Sequence, residues 1–126
     1  MKSSGDWAEK IAQLIVNKKG ENILMLDLRR ISPVADYFIL ATAQSPLHAQ
    51  AISDEVVEKL KKDGYRIHHV EGYNQAQWIL LDYLDIVVHI FLPEVRAFYG
   101  LERLWGDAPS RVFSLGPMAT EKFNGK

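Results

Sequence analysis

Trp78-Ile79-Leu80-Leu81-Asp82-Tyr83-Leu84-Asp85-Ile86-Val87-Val88-His89-Ile90-Phe91-Leu92 is the stretch that decides how this chain folds. Two apolar runs of strand length, Trp78 to Asp82 and Asp85 to Leu92, are joined by Tyr83-Leu84, a two-residue connection of hairpin length. In the first run residues 78, 80 and 82 share one face, and 79 and 81 share the other. Leu84 is awkward at such a turn, because tight turns often need a positive φ; either the turn is of another type or one residue is strained. The most apolar part, Ile86 to Pro93, contains His89. It falls well short of the ~20 residues that a membrane-spanning helix needs.

Working outward, Ile23 to Leu28 and Tyr37 to Ala43 also read as strands. They are apolar at nearly every position, which predicts burial on both faces. Between Tyr37 and the hairpin, Ser45 is a good N-cap, Pro46 occupies the favoured first helical position and Gly64 supplies the stop. Ala49, Ile52, Val56 and Leu60 form the inward stripe of this helix. Glu55/Lys59 and Glu58/Lys62 are i,i+4 pairs on its wet side. Arg66 to Val70 is a short strand. An earlier helix is predicted from about Trp7 to Lys18, with Trp7, Ile11, Leu14 and Ile15 on one stripe, Asp6 and Glu9 as a capping box, and Gly20 as the stop. After the hairpin, Pro93-Glu94 opens a third helix with Val95, Phe98 and Tyr99 inward; Gly100 is a candidate break before Leu101, Leu104 and Trp105. The order α-β-β-α-β-β-β-α predicts one α/β domain over residues 1–108, a mixed five-stranded sheet flanked by helices. Residues 109–126 read as a polar C-terminal tail, partly disordered.

The chain has 126 residues, 48% hydrophobic and 25% charged, with a net charge of -1 and no cysteine. That is a globular chain of ordinary domain size. Near-neutrality argues against a dedicated nucleic-acid binder, which draws affinity from neutralised phosphates. Without cysteine there are no disulfides or thiolate zinc sites. The N-terminus carries Asp6 and Glu9 and has no long apolar segment, so the cytoplasm is the expected compartment.

Little in the sequence points to catalysis. His68 and His69 are adjacent on a strand and point to opposite faces. His89 reads as a hydrogen-bonded core histidine, and His48, in the first turn of the second helix, is the one histidine placed to meet a ligand. No metal site and no cofactor are expected. A nucleotidyltransferase would show a Gly-Ser turn before a helix and an Asp-x-Asp on the next strand; here Ala43-Gln44-Ser45 fills the turn and no Asp-x-Asp occurs. What stands out is charge asymmetry. From Glu71 to Asp107 six acidic residues (Glu71, Asp82, Asp85, Glu94, Glu102, Asp107) meet only Arg96 and Arg103, a local net of -4 in the most aromatic part of the chain. A strand face carrying Trp78, Leu80 and Asp82 suits an interface with a basic protein, an aromatic anchor beside a carboxylate. The same spacing equally fits a core strand that ends at Asp82.

Four blocks together resemble the ribosomal silencing factor (Iojap-related) family: Ala35 to Thr42, Ser45 to Glu55, Glu71-Gly72 with Trp78 to Phe91, and Glu94 to Ala108. The resemblance covers about Trp7 to Ala108. It implies a fold like a nucleotidyltransferase without its catalytic residues, and therefore no enzyme. It also implies binding to the large ribosomal subunit through large-subunit ribosomal protein fourteen, which blocks joining of the small subunit and lowers translation, with little direct RNA recognition and possible homodimerisation. Trp78, Leu80, Asp82 and Tyr83 are the contacts the resemblance carries over, and the acidic segment adds Asp85 and Glu71. The chain departs from the family pattern at Leu47, where Arg is usual, and at Leu84, where Gly is usual. Two other readings compete with translation inhibition. One is a nucleotidyltransferase-like, nucleotide-binding enzyme using Asp27, Asp36 and Ser45; the other is a large-subunit assembly factor.

Overall fold

A computed structural model describes residues 2–99 and 108–114. Helix α1 (Ser4–Asn17) leads into β1 (Glu21–Asp27) and β2 (Tyr37–Thr42), followed by α2 (Pro46–Lys62). Then come β3 (His69–Glu71), β4 (Trp78–Asp82), β5 (Ile86–Phe91), α3 (Pro93–Tyr99) and β6 (Ser110–Ser114). Among the described residues the sheet has six strands in the order β3-β4-β5-β2-β1-β6, and only the β2–β5 pair is parallel. The mixed α/β class is as the sequence implies, but the count of five strands is corrected to six. β6 pairs with β1 inside the segment read as tail. It was illegible because Ser110-Arg111-Val112-Phe113-Ser114 holds only two large apolar residues, Val112 and Phe113. The predicted break at Gly100, the helical continuation through Leu101, Leu104 and Trp105, and residues 115–126 lie outside the described residues, as do the side chains of Phe98 and Tyr99.

Helix α2 forms where local chemistry says it must. The Ser45 side chain accepts the His48 N–H, Pro46 follows at the first helical position, and Gly64 adopts φ +89 just past the C-cap Asp63. The Tyr65 and Gly64 N–H groups then close back on the Leu60 and Lys61 carbonyls, the two bonds that satisfy a helix end of this kind. Helix α1 starts one turn earlier than the apolar stripe suggests. Its capping box is Ser3 with Asp6, not Asp6 with Glu9. At its end Gly20 is not the left-handed residue; Lys19 is, at φ +67. Gly20 is needed for closeness instead, since a Cβ there would sit 2.4 Å from Ile15 Cγ2.

Both helices cover one sheet face and enclose the main core, which includes Ile11, Ile15, Ile39, Ile52, Val56 and Ile79, all fully buried. Lys10 pairs with Asp63 and ties α1 to the end of α2. On the opposite face Leu26, Leu28, Leu40, Phe91 and Ala108 form a smaller core, with Val95 of α3 against it. Arg96 holds α3 down by donating to the Asn22 carbonyl at 2.7 Å and to Thr42 Oγ1 at 2.8 Å. Among the described residues no helix is long and apolar enough to cross a membrane.

Candidate functional site

The second sheet face carries the candidate residues. In β4 the even positions Trp78, Leu80 and Asp82 are half-buried, while Ile79 and Leu81 are fully buried under the helices. The strand register extends this face sideways. Trp78 lies opposite Phe91; Glu71, Leu80, His89 and Leu40 form one row across four strands; His69, Asp82, Val87 and Phe38 form the next. Phe38 and Val87, both half-buried, therefore belong to the same surface. No single-segment pattern could reveal them, because their position depends on the pairing of β2 with β5.

Trp78 is neither a plain surface anchor nor a plain core residue. Its ring lies 5.2 Å from Phe91 and 6.0 Å from His89, and its indole Nε1–H donates to His89 Nδ1 at 3.1 Å. His89 is only 4% exposed, so it is the core histidine the sequence implies. Burial pushes its pKa down to about 4, and the ring is neutral at pH 7. Since Nδ1 accepts, the proton sits on Nε2, which has no hydrogen-bond partner among the described residues.

The backbone entering β4 is positioned by the preceding loop. Gly72, at φ +77, passes so close to Trp78 that a Cβ would lie 2.2 Å from the Trp78 carbonyl oxygen. Gln50 donates to the Tyr73 carbonyl at 2.9 Å, and the Tyr73 hydroxyl donates to Asp54 at 2.9 Å, so α2 holds this loop.

At the other end of β4 Tyr83 faces Ile86, so the two-residue tip is Leu84-Asp85, one residue later than Tyr83-Leu84. The Tyr83 N–H donates to the Ile86 carbonyl at 2.8 Å, and the Asp85 N–H donates back to the Tyr83 carbonyl at 3.0 Å. That i→i+2 bond, with Leu84 at φ +74, is a γ-turn of the rarer, strained hand. Asp82 supports it by accepting the Leu84 N–H on Oδ1 at 2.8 Å. Both alternatives hold: the turn is of another type, and Leu84 is strained. Relieving the strain of about 1–2 kcal/mol with Leu84→Gly costs roughly 0.5–1 kcal/mol of added freedom in the unfolded chain. The expected net gain of roughly 0.5–1 kcal/mol should appear as a higher urea midpoint with an unchanged m-value.

Tyr83, which the resemblance carries over as a partner contact, is 4% exposed. Its ring stacks on Tyr65 at 4.9 Å, and Tyr65 stacks on Trp7 at 4.4 Å. Burial pushes the Tyr65 hydroxyl up to about 12 and the Tyr83 hydroxyl up as well. Tyr83 thus anchors the turn from beneath and leaves Leu84, 57% exposed, at the tip. Asp85 is exposed, and its carbonyl accepts the N–H groups of Asp36 and Tyr37 at 2.7 and 3.1 Å. Ile31 and Val34, on the β1–β2 loop leading to Asp36, are also exposed. Glu71 is exposed on β3 and pairs with His69 Nε2 at 2.8 Å.

The residues suspected of chemistry are engaged elsewhere. His48 is not free for a ligand: Nδ1 accepts the Gln44 N–H at 3.0 Å, and Nε2 lies 2.8 Å from the Lys18 carbonyl. Ser45 caps α2. Asp27 is bound by the Arg29 guanidinium at 2.9 and 2.7 Å, and that hydrogen-bonded pairing lowers its pKa.

The family model described as "Ribosomal silencing factor during starvation" matches residues 1–124. The chain belongs to the ribosomal silencing factor family. It is 43% identical over 100 residues to the ribosomal silencing factor of Bacillus subtilis, covering 79% of this chain and 85% of that protein. It is 35% identical over 102 residues to the chloroplastic protein Iojap of Zea mays, covering 81% of this chain and 44% of that longer protein. A crystal structure of a Chromobacterium violaceum protein superposes with a TM-score of 0.81 at 31% identity, covering 93% of this chain and 97% of that one. For a ribosomal silencing factor, the relevant chemistry is contact with a ribosome.

Proposed function

We propose that this chain binds the large ribosomal subunit through large-subunit ribosomal protein fourteen, and that its bulk then obstructs joining of the small subunit and lowers translation. The observation that carries this reading is the half-buried face of Trp78, Leu80 and Asp82, flanked by the carboxylates of Glu71 and Asp85. An aromatic anchor on a face that also carries acids fits a basic protein better than it fits phosphate. Family membership supplies the ribosome. The inhibitor works as a steric plug in the cytoplasm, with no catalytic step and no cofactor. Consistent with that, Ser45 and the Gln44 amide at the α2 N-terminus, where a nucleotide phosphate would sit, are already spent on capping α2 and on His48.

Co-sedimentation with isolated subunits, scored separately, tests the reading. The protein should travel with large subunits and not with small ones. On protein-free rRNA its affinity should stay in the non-specific range, ~10⁻⁴ to 10⁻⁶ M. Equal binding to both subunits, or tight selective binding to bare rRNA, would overturn it.

A further inference from the structure

Among the described residues, His89 holds Trp78 by a directed bond, and Phe91 holds it by ring packing. Aromatic packing against Phe91, at 5.2 Å with the rings tilted by 32°, tolerates rotation of the indole. The hydrogen bond to His89 does not, because Nε1 is the indole's single donor. His89 is in turn held by rings on two sides: Phe38 at 4.7 Å and Phe91, nearly parallel, at 5.8 Å. It lies directly opposite Leu80 in the sheet, beneath the surface that Trp78 shares with Leu80. The ring carries a buried Nε2–H with no partner among the described residues. Such an orphan is a stability cost that a phenyl ring in the same place would avoid. A polar ring retained at that cost, on the row of the candidate contact residues, calls for a use.

We infer that His89 is a positioning residue for docking: its Nδ1 fixes the indole of Trp78 in the pose that meets the large subunit. This rests on the reading of the Trp78 face as the docking surface. The benefit is preorganisation, since an indole already held in place loses less freedom when a partner closes over it.

His89→Phe removes the acceptor and keeps a ring between Phe38 and Phe91. The expected result is a melting temperature unchanged or raised, with affinity for purified large subunits weakened roughly three- to tenfold. A merely structural histidine would move the melt and leave the affinity alone. Trp78→Phe removes the donor, so adding His89→Phe to it should cost nothing further, a coupling that a double-mutant cycle reads directly. The wild-type protein supplies a measurement that needs no variant. ¹⁵N NMR of the imidazole should show the Nε2–H tautomer, and the Trp78 indole proton, identified by its loss in Trp78→Phe, should be hydrogen-bonded. An Nδ1–H tautomer, additive costs in the cycle, or wild-type affinity in His89→Phe would each overturn the inference. Trp78→Ala separates the two levels: if it too binds like wild type, the docking surface itself is misplaced, whereas weakened Trp78→Ala beside normal His89→Phe removes only the positioning role.

Discussion

Trp78→Ala is expected to weaken binding to large subunits by roughly 30- to 1,000-fold, the usual cost of truncating a central aromatic anchor, ~2–4 kcal/mol. The half-buried position of Trp78 means the domain also loses stability, but less than a core tryptophan would cost. We expect about 2 kcal/mol against the ~3–5 kcal/mol of a fully buried one. A domain of ordinary stability, ~5–15 kcal/mol, stays folded at 25 °C after that loss, so binding can be measured on native protein. Trp78→Phe keeps the packing on Phe91 and should lie between wild type and Trp78→Ala. Asp82→Asn is the companion that isolates charge. Asn retains an Oδ1 for the Leu84 N–H, so the turn should survive while the negative charge goes. Its expected cost is smaller, roughly three- to tenfold, as for a charge near an interface rim. Affinity of Trp78→Ala within about threefold of wild type, with a folded protein, would remove this face from the site.

The sequence carried most of the architecture wherever a single residue's chemistry decides the outcome. Ser45, Pro46 and Gly64 delimit α2 through a cap, a fixed φ and a left-handed stop, each readable without knowing the rest of the fold. The alternation of Trp78 to Asp82 gave the two faces of β4 correctly. Tyr83 follows the same signal. By alternation it continues the buried 79–81 face, and the structure places it there. What stayed hidden depends on pairing between distant segments. A turn at Tyr83-Leu84 would set Asp82 against Asp85 and Trp78 directly against His89. Instead Tyr83 faces Ile86 and the tip is Leu84-Asp85, one residue later, so the register shifts until Trp78 meets Phe91 and reaches His89 on the diagonal. β6 was missed for a related reason: an edge strand that pairs on one side needs little apolar pattern of its own.

Stability is expected to fall by about 3 kcal/mol as pH drops from 6.5 to 4, because His89 is buried in its neutral form. In the unfolded chain its imidazole titrates at the ordinary 6.5, whereas burial among rings pushes the folded value down to about 4. Above pH 6.5 the group is neutral in both states and contributes no slope. Between the two values the unfolded chain takes up a proton that the folded protein refuses, so unfolding gains. Below about 4 both states are protonated and the slope from this group ends. Forcing the proton onto Nδ1 also removes the acceptor for the Trp78 indole, so the folded state has no cheap way to accommodate the charge. Carboxylates act lower on the scale. Asp27, held by its hydrogen bonds to Arg29, and Asp63, held by Lys10, have pKa values below the usual 3.8, and their stabilisation is lost only as pH falls through that lower range. Comparing urea unfolding of wild type and His89→Phe between pH 7.5 and 4.5 isolates this histidine: the variant should lose its part of the slope while its neutral-pH stability stays near wild type. Parallel pH curves for wild type and His89→Phe would mean that His89 is not buried neutral, and the bond that orients Trp78 would lose its basis with it.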